Sequence, residues 1–209
     1  MFYDNNPQPT LRFGDIVGGF LLSRCHDYAP SFSEKPDTYH IEVARLKLAA
    51  VLTPCCTIAH HSGNMLVLSP LQRINPVYYF MNSYLREDLT RINRVMTIQE
   101  AIGPEKWKKM SDEEKTKHLA TSPDKKYIGV NEFVYEEHDL LPEYEIKYNK
   151  QTANTNYYMI DFREICRVQK PSDVEPSAIK RLQLSVQTRA ELRDKLAHYF
   201  GRKPDEDAV

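Results

Sequence analysis

Four side chains that can do chemistry lie in one short loop, at Cys55, Cys56, His60 and His61. Thiolates and imidazoles are ligands that zinc prefers, and Cys25-His26 would offer further ones. Adjacent cysteines cannot easily both reach one ion, so this spacing does not favour a metal site. A nucleophilic Cys56 with a histidine base is the second chemistry, but no third group that would orient the base is evident. We therefore expect neither a metal nor a cofactor, and interpret the thiols as small side chains beside an exposed turn.

Two apolar runs flank this loop and must position it, Leu48–Leu52 and Met65–Leu68. Each has the length of a strand and ends at a turn-forming proline. Gly18 and Gly19 lie inside an earlier predicted strand, where glycine is typical of a bulge or a tight bend. The predicted strands are Leu11–Ser23, His40–Leu52, Met65–Leu68, Tyr127–Tyr135, Glu143–Tyr148 and Asn156–Phe162.

Helix signals concentrate in residues 75–126, which we interpret as a helical insertion in a β framework. Pro104 suits the first turn of a helix. Ser111 and Glu114 have the spacing of a capping box, and the helix they start is expected to reach about Ala120. A polar turn is predicted over Gln151–Asn156.

A second helix is predicted at the end of the chain, from a cap at Ser185 to about Phe200, with Gly201 as its stop signal. Leu192 and Leu196 fall on one face of this helix and are expected to be buried. Residues 202–209 are expected to form a flexible tail.

Composition limits the class of protein. The chain has 209 residues and 41% hydrophobic residues, so we predict a single domain over residues 1–209 with a sizeable core. The formal net charge of −1 excludes a molecule that is basic overall, so any nucleic-acid site must be a local patch. No apolar run approaches the roughly 20 residues that a membrane span needs. We expect a bacterial, cytoplasmic protein.

Three landmarks, taken in order, resemble the PemK/MazF-like toxin superfamily, the mRNA interferases of bacterial toxin–antitoxin pairs. They are Phe13–Val17, Leu48–Pro70, and Asp161–Val168 followed by Arg181-Leu182 and the helix from Ser185. The chain is also similar to uncharacterised bacterial proteins with a Thr-Pro-x-Cys-Asp loop. The resemblance implies a mainly β protein with helices, built on a small SH3-like antiparallel barrel that is usually a homodimer.

The catalytic pair of that superfamily changes type in this chain. Its arginine aligns with Lys47 and its threonine with Gln72. A lysine still neutralises phosphate as a point charge, whereas glutamine supplies no hydroxyl. If the chain cleaves RNA, the expected catalytic residues are Lys47, His60, His61 and Gln72.

Three further residues are candidates for contacting nucleic acid, namely Arg45, Arg73 and Trp107. Trp107 lies among lysines, as in surfaces that stack a base, but a single tryptophan on a short helix more often packs onto its own domain.

Two functions stay open from the sequence. The favoured one is a non-catalytic interaction module of a bacterial operon or phage-defence system, which binds a protein partner or forms a homodimer. The alternative is a diverged toxin-type endoribonuclease or nucleic-acid-binding protein, with RNA as the partner.

Overall fold

The structure is a computed structural model that describes residues 1–26, 40–59, 65–82, 84–85, 87–120, 127–169 and 179–201. It divides the chain into two compact units. The first comprises residues 1–71 and 164–185, and the second comprises residues 72–163 and 186–209. The predicted single domain stays a prediction.

An antiparallel sheet of five strands forms the first unit, in the order β10-β1-β2-β3-β9. Its strands are β1 (Ile16–His26), β2 (His40–Val51), β3 (Met65–Pro70), β9 (Cys166–Gln169) and β10 (Lys180–Leu182). Helix α1 (Cys55–Ala59) follows β2. The core of this unit packs apolar side chains from the segment before β1 and from several strands, namely Leu11, Val17, Phe20, Ala49, Val51, Leu66, Leu68 and Val168.

A glycine and an aspartate start the sheet. Gly14 has a φ of 85°, in the left-handed region that favours glycine. Its amide donates to the carbonyl of Val51 at 2.7 Å, and the Val51 amide donates to the carbonyl of Asp15 at 2.9 Å. The first landmark of the resemblance therefore has a structural role here, because it joins the start of β1 to the end of β2.

The Asp15 side chain makes a buried ion pair. Its carboxylate lies 2.7 Å from Lys180 Nζ, and the two side chains are 0% and 6% exposed. The same ammonium donates to the carbonyls of Gln8 and Thr10, and to the side-chain oxygen of Gln183. Burying two charges is costly, and these added hydrogen bonds offset that cost.

We predict that Lys180→Met lowers the free energy of unfolding by about 3–5 kcal/mol, because it leaves a buried carboxylate without its cation. The double variant Asp15→Asn, Lys180→Met should lose less than Lys180→Met alone. Urea unfolding measures both, with the exposed Arg167→Met as the control, expected within about 0.5 kcal/mol of wild type. A double variant less stable than Lys180→Met would contradict this account.

The second unit contains two antiparallel sheets. One has the order β4-β8-β5, from β4 (Gln72–Arg73), β5 (Glu132–Tyr135) and β8 (Tyr158–Asp161). The other pairs β6 (Tyr144–Tyr148) with β7 (Gln151–Thr155). The helices are α2 (Pro76–Phe80), a 3-10 helix (Leu89–Asn93), α3 (Ile98–Ile102), α4 (Pro104–Lys109), α5 (Asp112–Ala120) and α6 (Val186–Phe200).

Several predicted helices are confirmed. Helix α4 begins at Pro104, and the capping box of α5 is formed, since Ser111 Oγ accepts from the Glu114 amide at 3.2 Å and the Glu114 carboxylate accepts from the Ser111 amide at 2.8 Å. Helix α6 ends at Phe200 as expected. It buries Leu192 completely but leaves Leu196 only partly buried.

The strand predictions differ in their success. The first three predicted strands do form one antiparallel sheet. The polar turn predicted over Gln151–Asn156 is wrong, because residues 151–155 form β7 and the turn lies before it, at Asn149-Lys150. Asn149 takes a φ of 55°, which asparagine tolerates better than most residues, so a tight turn is made there. The predicted tail at 202–209 lies outside the described residues.

The coarse fold is that of a mixed α/β protein with antiparallel sheets. Among the described residues, no helix is both long and apolar enough to cross a membrane.

Lysine 195 on α6 is fully buried, at 0% exposure. Its Nζ donates to the carbonyl of Ile92 and lies 5.2 Å from the centre of the Tyr127 ring. Burial disfavours the charged form and lowers the pKa of Lys195 to about 7, while the nearby Glu132 carboxylate opposes this shift.

The pH dependence of stability follows from this lowered pKa. Above about pH 7 the folded chain holds neutral Lys195, whereas the unfolded chain stays protonated up to its ordinary pKa of 10.5. Stability should therefore rise between these two values, with a slope of at most about 1.4 kcal/mol per pH unit. Urea midpoints at pH 6, 7.5 and 9 measure this rise.

We expect Lys195→Met to flatten that rise, while Arg193→Met, an exposed change on the same helix, keeps it. Lys195→Gln serves if the methionine variant does not fold. Parallel pH profiles for wild type and the Lys195 variants would show that this lysine does not cause the rise.

Candidate binding surfaces

Two of the predicted site residues, Arg45 and Lys47, lie on β2 of the first unit with exposed side chains. They are two residues apart on a strand and therefore share one face of it. Val43 precedes them on the same face, and Leu21 of β1 is the cross-strand partner of Arg45. Leu21 is 65% exposed and Val43 is 62% exposed. We call these four side chains the ribbon face.

The ribbon face belongs to a two-stranded part of the sheet. Within the described residues, β10 pairs with β1 only at Ile16 and Val17, and β3 pairs with β2 only over residues 49–51. Beyond these points β1 and β2 pair with each other, out to His26 and His40. In the part of the chain that the structure describes, both outer edges of this ribbon are without a strand partner.

A side chain would be unfavourable at both glycines of β1, for different reasons. A Cβ added at Gly18 would come within 2.9 Å of the Lys47 carbonyl oxygen, closer than real contacts allow. Gly19 has a φ of 88°, which a side chain would strain. Because the pairing of β1 with β2 keeps one register through both positions, these glycines mark a close approach and a bend rather than a bulge between these strands.

In the second unit, the predicted residues Gln72 and Arg73 form β4, at the edge of the sheet with β8. The guanidinium carbon of Arg73 lies 5.1 Å from the centre of the Tyr144 ring, a cation–π contact. Gln72 is half-buried and Arg73 is exposed.

Arg73 and Tyr144 line an open cleft of about 600 Å³, which we call the Arg73 cleft. The polar side chains around it also include Asn75, Glu145 and Lys147. Lys147 Nζ lies 2.6 Å from the Glu145 carboxylate. The apolar part of the lining consists of Ile74, Pro76, Ile146 and Met159.

The Tyr144 ring is held in place from several sides. Its hydroxyl accepts from the Ile74 amide at 2.8 Å and donates to the Tyr157 carbonyl at 2.5 Å. The Tyr158 ring packs edge-on against it, with 5.2 Å between centroids. Burial raises the pKa of Tyr144 to about 12, so its phenol is neutral at physiological pH and does not act as a base.

The other predicted residues have different outcomes. His60 and His61 lie outside the described residues, so their catalytic role stays a prediction. Trp107 is half-buried on α4. The Cys55 thiol is partly buried on α1 and accepts from the Phe13 amide at 3.3 Å, while Cys56 is exposed.

Sequence reasoning missed Leu21, Val43, Tyr144 and Lys147. The alternation of Val43, Arg45 and Lys47 with their neighbours is a signal that could have revealed the ribbon face. Tyr144 and Lys147 carry no such signal, because they line one cleft with Arg73 only through the packing of segments that are distant in the sequence.

Comparisons with models of protein families, with curated proteins and with solved structures find no match to this chain. Its function is therefore argued from these two surfaces.

Proposed function

We propose that this chain is a non-catalytic interaction module, built on a toxin-like SH3-type barrel, and that its ribbon face binds a segment of a partner protein rich in acidic and apolar residues. One observation carries the proposal: two exposed apolar side chains, Leu21 and Val43, lie beside two exposed cations, Arg45 and Lys47, on a ribbon that extends beyond its sheet.

The mixture of side chains indicates the chemistry of the partner. Single exposed apolar residues are ordinary, but apolar side chains on neighbouring strands gain free energy when a partner covers them. Arg45 and Lys47 favour carboxylates at the same place. The strand edges, which have no strand partner among the described residues, suit a partner that adds a strand through main-chain hydrogen bonds.

A second copy of the chain fits this face less well. Pairing the ribbon face with itself would bring Arg45 and Lys47 against the same cations, and like charges across an interface disfavour association. The predicted homodimer is therefore the second choice for this surface.

The curvature of the first unit supports the barrel part of the proposal. In the five-stranded sheet, β1 and β9 are separated by β2 and β3, yet their Cα atoms approach within 8 Å. A flat sheet would keep strands three positions apart at about 14 Å, given a spacing of about 4.8 Å. The sheet therefore curls in the manner of a barrel wall.

The residues aligned with the superfamily's catalytic pair support a non-catalytic role. Lys47 lacks the two-pronged guanidinium and Gln72 lacks a hydroxyl.

Binding to the ribbon face is tested with a synthetic peptide that alternates leucine and glutamate. We expect saturable binding of this peptide to wild type by isothermal titration calorimetry. The affinity should be at least tenfold weaker for the double variant Leu21→Ser, Val43→Ser and for the single variant Arg45→Glu. A peptide that alternates serine and glutamate tests how much the leucine side chains of the first peptide contribute to the affinity. Arg167→Glu is the matched control, since Arg167 is an exposed arginine on β9 of the same unit. Equal affinity of wild type and ribbon variants would contradict the proposal.

The absence of catalysis is tested with single-stranded RNA. We expect no cleavage by folded wild type across several RNA sequences. Cleavage by wild type that is lost in Lys47→Ala, His60→Ala or His61→Ala would instead identify a diverged endoribonuclease. Loss of a general base should then lower the rate by about 10²–10⁴-fold.

A further inference from the structure

We infer that the Arg73 cleft is a binding site for a mononucleotide, with the base stacked on the Arg73 guanidinium and a single phosphate group held near Lys147. This site is in the second unit, and the inference does not depend on the ribbon face.

A stacking surface is already formed at this cleft. The guanidinium carbon of Arg73 lies 5.1 Å from the centre of the Tyr144 ring, and Arg73 is exposed, so its guanidinium is accessible to a ligand. A planar guanidinium stacks on aromatic rings and on nucleic-acid bases. The hydrogen bonds of the Tyr144 hydroxyl to backbone groups hold the lower ring in place, so little order has to be imposed when a base arrives.

The charges around the cleft fit one phosphate group. Arg73 and Lys147 are positive and Glu145 is negative, so the lining carries a net charge of +1. The Lys147 side chain is 66% exposed and can turn from Glu145 towards a phosphate oxygen. The Glu145 carboxylate would repel a polyphosphate chain, which favours a monophosphate.

The remaining polar and apolar residues of the lining offer different contacts to a ligand. The Asn75 side-chain oxygen accepts from the Val77 amide at 3.0 Å, which leaves its NH₂ group to donate to a ligand. Ile74, Ile146 and Met159 offer apolar contact to a base or a ribose. The volume of about 600 Å³ lies within the range of roughly 300–1,000 Å³ that small-molecule sites occupy.

The cleft is suited to binding rather than to reaction. The phenol of Tyr144 is neutral, and a guanidinium such as that of Arg73 donates hydrogen bonds but accepts none. The single carboxylate of the described lining, that of Glu145, is paired with Lys147. We therefore expect the nucleotide to be bound and released unchanged.

Isothermal titration calorimetry with AMP, GMP, CMP and UMP at low salt tests the inference. We expect at least one of these monophosphates to bind. Its nucleoside and inorganic phosphate should each bind at least tenfold more weakly, because the nucleoside lacks the phosphate group and inorganic phosphate lacks the base. The corresponding triphosphate should also bind more weakly. Chromatography of the recovered ligand should return it unchanged.

Two pairs of variants locate the binding. Arg73→Ala should weaken binding at least tenfold, and Lys147→Ala should weaken it several-fold and reduce its dependence on salt. Arg94→Ala and Lys150→Ala are the matched controls, since both residues are exposed cations of the same unit outside the cleft lining, and they should stay within about twofold of wild type. Circular dichroism of each variant confirms that it is folded.

Three results would overturn the inference. The first is that none of the four monophosphates binds at millimolar concentration. The second is that affinity is unchanged in the folded Arg73→Ala variant. The third is that a short single-stranded RNA binds in an Arg73-dependent manner while the monophosphates do not, which would assign the cleft to a polymer.

Discussion

The buried ion pair between Asp15 and Lys180 is the constraint on which the first unit depends. This unit is assembled from two distant stretches of chain, residues 1–71 and 164–185, and Lys180 brings them together. Its ammonium reaches the Asp15 carboxylate at the start of β1 and two carbonyls of the N-terminal segment. A buried ion needs an opposite charge and hydrogen-bond partners, because an unpaired ion in this setting would cost several kcal/mol. The ribbon that carries Arg45 and Lys47 therefore extends from an anchored base.

Hydrogen bonds between buried side chains and the backbone join segments of the second unit. Asn93 exchanges two hydrogen bonds with Val134, at 2.7 and 2.8 Å, and both residues are buried. Tyr144 links the backbone of Ile74 to that of Tyr157 in the same way. Since each of these groups would be unsatisfied without its partner, the buried amide and phenol specify how the segments meet. The Arg73 cleft is one product of this arrangement.

The two surfaces thus have different physical characters. The ribbon face exposes apolar area next to positive charge, and the proposed partner would remove that area from water. In the Arg73 cleft the guanidinium already lies over the Tyr144 ring, so little rearrangement is needed beyond a turn of the Lys147 side chain. An exposed face of this kind suits a macromolecule, whereas a preformed concave site suits a small ligand. One chain can use both, since they belong to separate compact units.

Elements with local signals could be predicted from the amino-acid sequence. Glycine, proline and capping residues located β1 and the starts of α4 and α5, and apolar runs located β2 and β3, because these signals act within a few residues along the chain. Arg45, Lys47 and Arg73 could likewise be selected as exposed cations from residue type alone. Three features could be seen only in the folded chain: residues 151–155 form a strand, Lys195 is buried, and Arg73 contacts Tyr144. A polar strand such as β7 is specified by its partner β6, and the meeting of β4 with β6 joins residues about seventy positions apart. Such contacts depend on how strands pair in three dimensions, which no pattern within a single segment encodes.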